Sequence, residues 1–135
     1  MDWALQNYLK INMANHSIKG QSPRYVCGES APKERVDQGI TRQLLGFGPD
    51  LMAVRVWFDE GAIGYQHHHH HTQVSYVESG IFEATIEGET KVLKAGDAFY
   101  VASNEMHGAV CKQAGVLIDI FSPQREDFLE ETDED

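Results

Sequence analysis

Five consecutive histidines, His67–His71, lie within the segment GYQHHHHHTQVSYVESG, and Gln73 follows two residues later. A neutral imidazole is the commonest protein ligand for borderline divalent metals. Side chains alternate faces along a strand, so His67, His69 and His71 would share one face and His68 and His70 the other. Gln73 has the parity of the first set. Two imidazoles at i and i+2 can grip a single ion, with a third ligand from the same edge and a fourth from a distant strand. That arrangement closes one hemisphere and leaves the other open for water or substrate. The run is internal and sits between two apolar strand patterns, whereas an affinity tag is terminal. His107 is the candidate for the distant ligand: Gly96-Asp97 make a turn, Phe99 and Val101 are strand-like, and Ser103-Asn104-Glu105 reverse the chain toward it. On its own His107 would read as a surface or core histidine. Its separation from the histidine run makes it a ligand candidate.

Short strands must position these residues. Thr41–Leu45, Leu51–Phe58, the VSYVE segment, Phe82–Ile86, Thr90–Leu93, Ala98–Val101, Gly108–Lys112 and Val116–Phe121 read as strands separated by Gly, Asp or Asn signals. Turns are expected at Ser79-Gly80, Glu87-Gly88, Lys94–Asp97 and Gln113-Ala114-Gly115. About eight strands with no intervening helices argue for an all-β sandwich or barrel. Trp3, Leu5, Tyr8, Leu9 and Ile11 suggest a short helix over about residues 2–13, and Asn15–Lys33 an extended connector. The division is therefore an arm over 1–33, a barrel over 34–125 and an acidic tail over 126–135.

The chain has 135 residues, enough for one domain. Its net charge is −10, and residues 126–135 carry seven acidic groups and no basic one. This balance gives no electrostatic footing for nucleic acid. The tail reads as a solvated, frayed end. No apolar window approaches the roughly 18 residues of a membrane helix and no signal peptide is visible, so the cytoplasm is the expected compartment. Cys27 and Cys111 are expected to be reduced thiols, with Cys111 a buried apolar residue. Tyr65, Tyr76 and Tyr100 are expected in the core, with the barrel mouth as the alternative.

The two histidine segments resemble the paired motifs of cupins, single-domain jelly-roll β-barrels. His67-x-His69-(x)3-Gln73-(x)6-Gly80 is similar to the first motif, with Gln73 in place of its glutamate and Gly61 at its leading glycine. Gly96-(x)5-Ala102-x-Asn104-(x)2-His107 is similar to the second, with Ala102 and Asn104 replacing proline and glycine and Cys111 replacing asparagine. From about Val36 to Leu129, roughly 70% of the chain, the sequence resembles pectin-degradation cupins of the KdgF type, above all in VLIDIFSPQREDFL.

That resemblance implies one divalent transition metal (zinc, nickel, iron(II), cobalt or manganese) held by His67, His69, Gln73 and His107. It implies catalytic or substrate contacts from Asp119, Phe121 and Arg125, and ring opening of 4,5-unsaturated uronates from pectin or alginate. All four ligands are uncharged, so a bound ion would keep its full charge and attract a small anionic sugar acid. Without the resemblance, Asp119 reads as a solvent-facing or capping residue, Phe121 as core and Arg125 as a partner of the acidic tail. His68, His70 and His71 are not needed as ligands, although His71 could make a substrate contact. A dioxygenase and a non-catalytic sugar-binding cupin are the alternatives. Small cupins commonly pair, and a homodimer with contacts from about residues 20–40 is expected.

Overall fold

The computed structural model describes residues 20–133. The helix expected over residues 2–13 lies outside the described residues. The strands are β1 (Lys33–Asp37), β2 (Ile40–Gly48), β3 (Leu51–Phe58), β4 (Ile63–His67), β5 (Thr72–Ile86), β6 (Glu89–Lys94), β7 (Ala98–Val101) and β8 (His107–Ser122), followed by helix α1 (Glu126–Asp133). The order is β1-β2-β3-β8-β5-β6, with β4 also on β8 and β7 also on β5. Every pairing is antiparallel. The result is an all-β jelly-roll barrel.

Two long strands organise it. The C-terminal half of β8 pairs with β3 and the first half of β5, and its N-terminal half with β4 and the second half of β5. Each long strand thus belongs to both walls of the barrel. The sequence signals at Ser79-Gly80 and Gln113-Ala114-Gly115, expected as turns, are bends within continuous strands. The register of β5 on β8 shifts at Ser79 and Ile81, and Gly80 adopts φ +84°. A Cβ on Gly115 would collide with the Ser79 carbonyl oxygen. Glycine at both positions lets the backbones cross closely enough for the strands to fold over together. The Glu87-Gly88 turn is a two-residue hairpin with positive φ at both residues, +48° and +82°, which suits the right-handed strand twist.

The core lies between the walls. Met52, Val54, Val56 and Phe58 point inward from β3 and meet Val77 and Phe82 of β5 and Ala109, Cys111, Leu117 and Phe121 of β8. Phe58 and Phe82 pack edge to face at 5.1 Å, and burying a side chain of this size contributes about 1.5–3 kcal/mol. Cys111 is buried as expected, and Cys27 is exposed; both are free thiols. Residues 20–32 run beside β2. Ser22 exchanges hydrogen bonds with the backbone of Phe47, and the Gln43 amide donates to the carbonyls of Gly28 and Ala31.

Two further expectations need correction. Glu126–Asp133 is a helix rather than a frayed end, because Phe128 and Leu129 pack against the core cluster and the acidic residues of its first turn suit a helix N-terminus. Tyr65, Tyr76 and Tyr100 are exposed, not core. No helix among the described residues is long and apolar enough to cross a membrane.

Candidate metal centre

The histidine run does not form one extended strand. β4 ends at His67, residues 68–71 turn a corner, and β5 begins at Thr72. The corner, rather than strand alternation, brings His67 and His69 together with His107. His67 and His107 are direct partners in the β4–β8 ladder, with ring centroids 4.3 Å apart. The His69 ring lies 5.5 Å from that of His67 and 4.8 Å from that of His107. One ring nitrogen from each histidine lies within 4.8 Å of the others. The Asn104 amide donates to the His69 carbonyl at 2.7 Å and anchors the corner to the turn before β8. Asn104 stands where the cupin motif has glycine, and its φ of +67° is a conformation that asparagine tolerates better than most residues.

The ring nitrogens fix the character of the centre. The Nδ1 atoms of His67, His69 and His107 face the carbonyls of Tyr65, His71 and Glu105 at 2.8, 3.0 and 2.9 Å. A proton on each Nδ1 satisfies these contacts and leaves the Nε2 lone pairs free to bind an ion. Nε2 of His107 is buried and has no hydrogen-bond partner. Nε2 of His69 faces the side-chain oxygen of Gln73 at 3.1 Å, and with the ring proton on Nδ1 both of these atoms are acceptors. Extra protonation is disfavoured, because burial first, then the charges of Arg125 and His107, hold His69 down to about 4. Burial likewise lowers His107. A divalent cation resolves both the orphaned nitrogen and the opposed acceptors, and these residues fit one.

Beyond the histidines runs a polar chain. Gln73 Nε2 donates to Ser75 Oγ at 2.9 Å, and Ser75 Oγ donates to Asp119 Oδ1 at 2.6 Å. Gln73 pairs with Phe121, and Ser75 with Asp119, across the β5–β8 ladder. The serine accepts from the amide and donates to the carboxylate, which aims the Gln73 oxygen at His69. Burial pushes Asp119 up to about 6 against the opposing effects of the Ser75 hydrogen bond and the Arg125 charge. Sequence reasoning missed Ser75. Its signal was parity with Gln73, but serine is too common in strands to stand out.

Phe121 is buried, with its ring 5.8 Å from that of His69. The Arg125 guanidinium lies 5.2 Å from the Phe121 centroid and 4.3 Å from that of Phe128. Two of its nitrogens engage the Asp127 carboxylate at 3.0 and 2.8 Å. It therefore makes the ion pair with the acidic segment and also borders the centre, standing over the Phe121 ring that packs beside His69. The seven residues singled out in the sequence are thus joined by one continuous set of contacts, with Ser75 linking Gln73 to Asp119. His68 and His70 are exposed, and His71 is buried.

A jelly-roll barrel carrying a histidine cluster on β4, β8 and the corner between β4 and β5 defines a class. The cupin domain family matches residues 54–121, and the chain belongs to the cupin superfamily. Within it the chain is KdgF-like. It is 49% identical over 108 residues to the pectin degradation protein KdgF of Dickeya dadantii, an overlap of 78% of this chain and 98% of that protein. The structure of KdgF from Halomonas sp. is 41% identical and covers 79% of this chain and 99% of that one, with a TM-score of 0.76. An RmlC-like cupin from Shewanella frigidimarina is 53% identical and covers 80% and 97%, with a TM-score of 0.79.

Proposed function

We propose that this protein opens the ring of 4,5-unsaturated uronate monomers, from pectin or alginate, to the linear keto acid. The observation that carries the reading is the run of contacts from the neutral histidine cluster through Gln73 and Ser75 to Asp119, which is held up to about 6. Similarity to proteins named for pectin degradation supports the substrate class. His67, His69, His107 and Gln73 would hold a divalent transition ion, which would supply Lewis acidity toward the substrate carboxylate. Asp119 takes the proton of the anomeric hydroxyl as the bond between C1 and the ring oxygen breaks. The released C5 enolate is then protonated at C4 by the same carboxyl group, leaving a ketone at C5, so atoms and electrons balance without an oxidant. Asp119 suits both halves, because a group titrating about one unit below neutral pH exchanges protons readily. Arg125 orients an anionic or hydroxyl group of the sugar, and Phe121, 3% exposed beneath Phe128, shapes the wall beside His69 rather than packing on the sugar. The reaction is assigned to the cytoplasm.

The test is incubation of metal-loaded protein with lyase-generated unsaturated uronate, following absorbance of the conjugated double bond beside an oxygen electrode. Accelerated loss of absorbance without oxygen uptake is expected. Oxygen uptake would indicate a dioxygenase instead, and binding without turnover would indicate a sugar-binding role. We further propose a homodimer. Tyr25, 92% exposed, and Val36, 38% exposed, offer apolar surface within the expected contact region.

A further inference from the structure

The histidine corner carries a second cluster that the proposed reaction does not use. His70, His71 and Glu126 each present a ligand atom, and these atoms lie within 4.8 Å of one another. The two rings stand side by side, with centroids 3.9 Å apart at 33°. Glu126 comes from a different part of the chain, as the first residue of α1. His71 supplies an independent indication of a ligand. It is only 6% exposed, yet neither of its ring nitrogens has a hydrogen-bond partner. The backbone of Gln124 lies close enough to favour a proton on the ring, but outside hydrogen-bonding geometry. Buried polar atoms are nearly always paired in folded proteins, so this imidazole needs a partner.

We propose that His70, His71 and Glu126 form a second divalent-metal site, at the junction of the histidine corner and α1. Two neutral nitrogens and one carboxylate oxygen suit zinc or a neighbouring transition ion. The Glu126 carboxylate would repel an anion. The nearby Arg125 charge is balanced by its two-point contact with Asp127. His70 and Glu126 are exposed, so water completes the coordination and binding is weaker than at the barrel centre. An ion here would tie α1 to the loop that carries His69.

The experiment is a zinc titration of the metal-stripped full chain, read by calorimetry and by metal content after gel filtration. Wild type is expected to take up two equivalents, the second at least tenfold weaker. Glu126→Gln and His71→Ala should each take up only the tight equivalent. His68→Ala, which alters an exposed histidine of the same run outside the cluster, should keep both. His107→Ala separates the centres, since it should lose the tight equivalent and spare the weak one that Glu126→Gln removes. Saturation of wild type at one equivalent would overturn the proposal. So would retention of the second equivalent by Glu126→Gln, a surface change that leaves folding intact.

Discussion

Asp119 occupies a position where stability and reactivity pull in opposite directions. Burial raises its pKa from 3.8 to about 6, so the folded protein binds this proton more tightly than the unfolded chain does. The stability associated with the neutral carboxyl is complete below the unfolded value and declines as pH rises from about 4 through about 6. Asp119→Asn should therefore raise the melting temperature at pH 7 by a few degrees, with the difference vanishing below about pH 4 in a thermal scan. The same change should lower the ring-opening rate by about 10²–10⁴-fold. In wild type, kcat/KM should fall as pH drops through about 6, because the carboxylate that accepts the anomeric proton is lost. Gln73→Glu would add a negative charge to the centre and should raise KM for the anionic sugar more than it lowers kcat. A steady-state comparison with a reduced, uncharged substrate analogue as competitor measures that charge effect separately. The grouping of His67, His69 and His107 was legible from residue type and motif spacing, and Gln73 as their neighbour from the resemblance to cupins. Ser75 was not, because only the register of β5 on β8 shows what its hydroxyl joins.

Among the elements, β5 and β8 govern how well the site is built. Gly115 has no room for a side chain against the Ser79 carbonyl, and the obstacle is backbone rather than a movable side chain. Gly115→Ala is expected to destabilise the fold by about 3 kcal/mol or more, visible in denaturant unfolding, and to impair metal uptake because His107 and Asp119 lie on opposite sides of that bend. Strand positions could be read from apolar runs such as Leu51–Phe58 of β3 and from the alternation of Phe82, Ala84 and Ile86 in β5. The two bends were mistaken for turns because glycine-rich signals look alike whether the chain reverses or only folds over. The histidine corner was mistaken for a strand for a related reason: five identical residues carry no periodicity with which to tell an extended segment from a turn. α1 was hidden by its charge, since the acidic residues outnumber the two apolar ones, Phe128 and Leu129, that hold it to the core.

At the scale of the whole molecule, α1 covers Phe121 through an edge-to-face contact at 5.7 Å between Phe121 and Phe128. The Arg42 guanidinium lies 3.8 Å from the other ring of that pair, linking the helix to β2. Phe128→Ala should reduce stability by about 1–3 kcal/mol and loosen the seat of Arg125, measured as an increase in KM greater than the loss in kcat. Light scattering should give twice the chain mass. A monomer would remove the proposed pairing and leave the ring-opening proposal unaffected.

The rung that joins Ser75 to Asp119 has a use outside this molecule. A serine and an aspartate facing each other across an antiparallel ladder, with a glutamine two positions upstream of the serine, form a unit small enough to be grafted. A designer who wanted to couple a proton-bearing carboxyl to a neutral ligand could install these three side chains in another barrel without copying any loop.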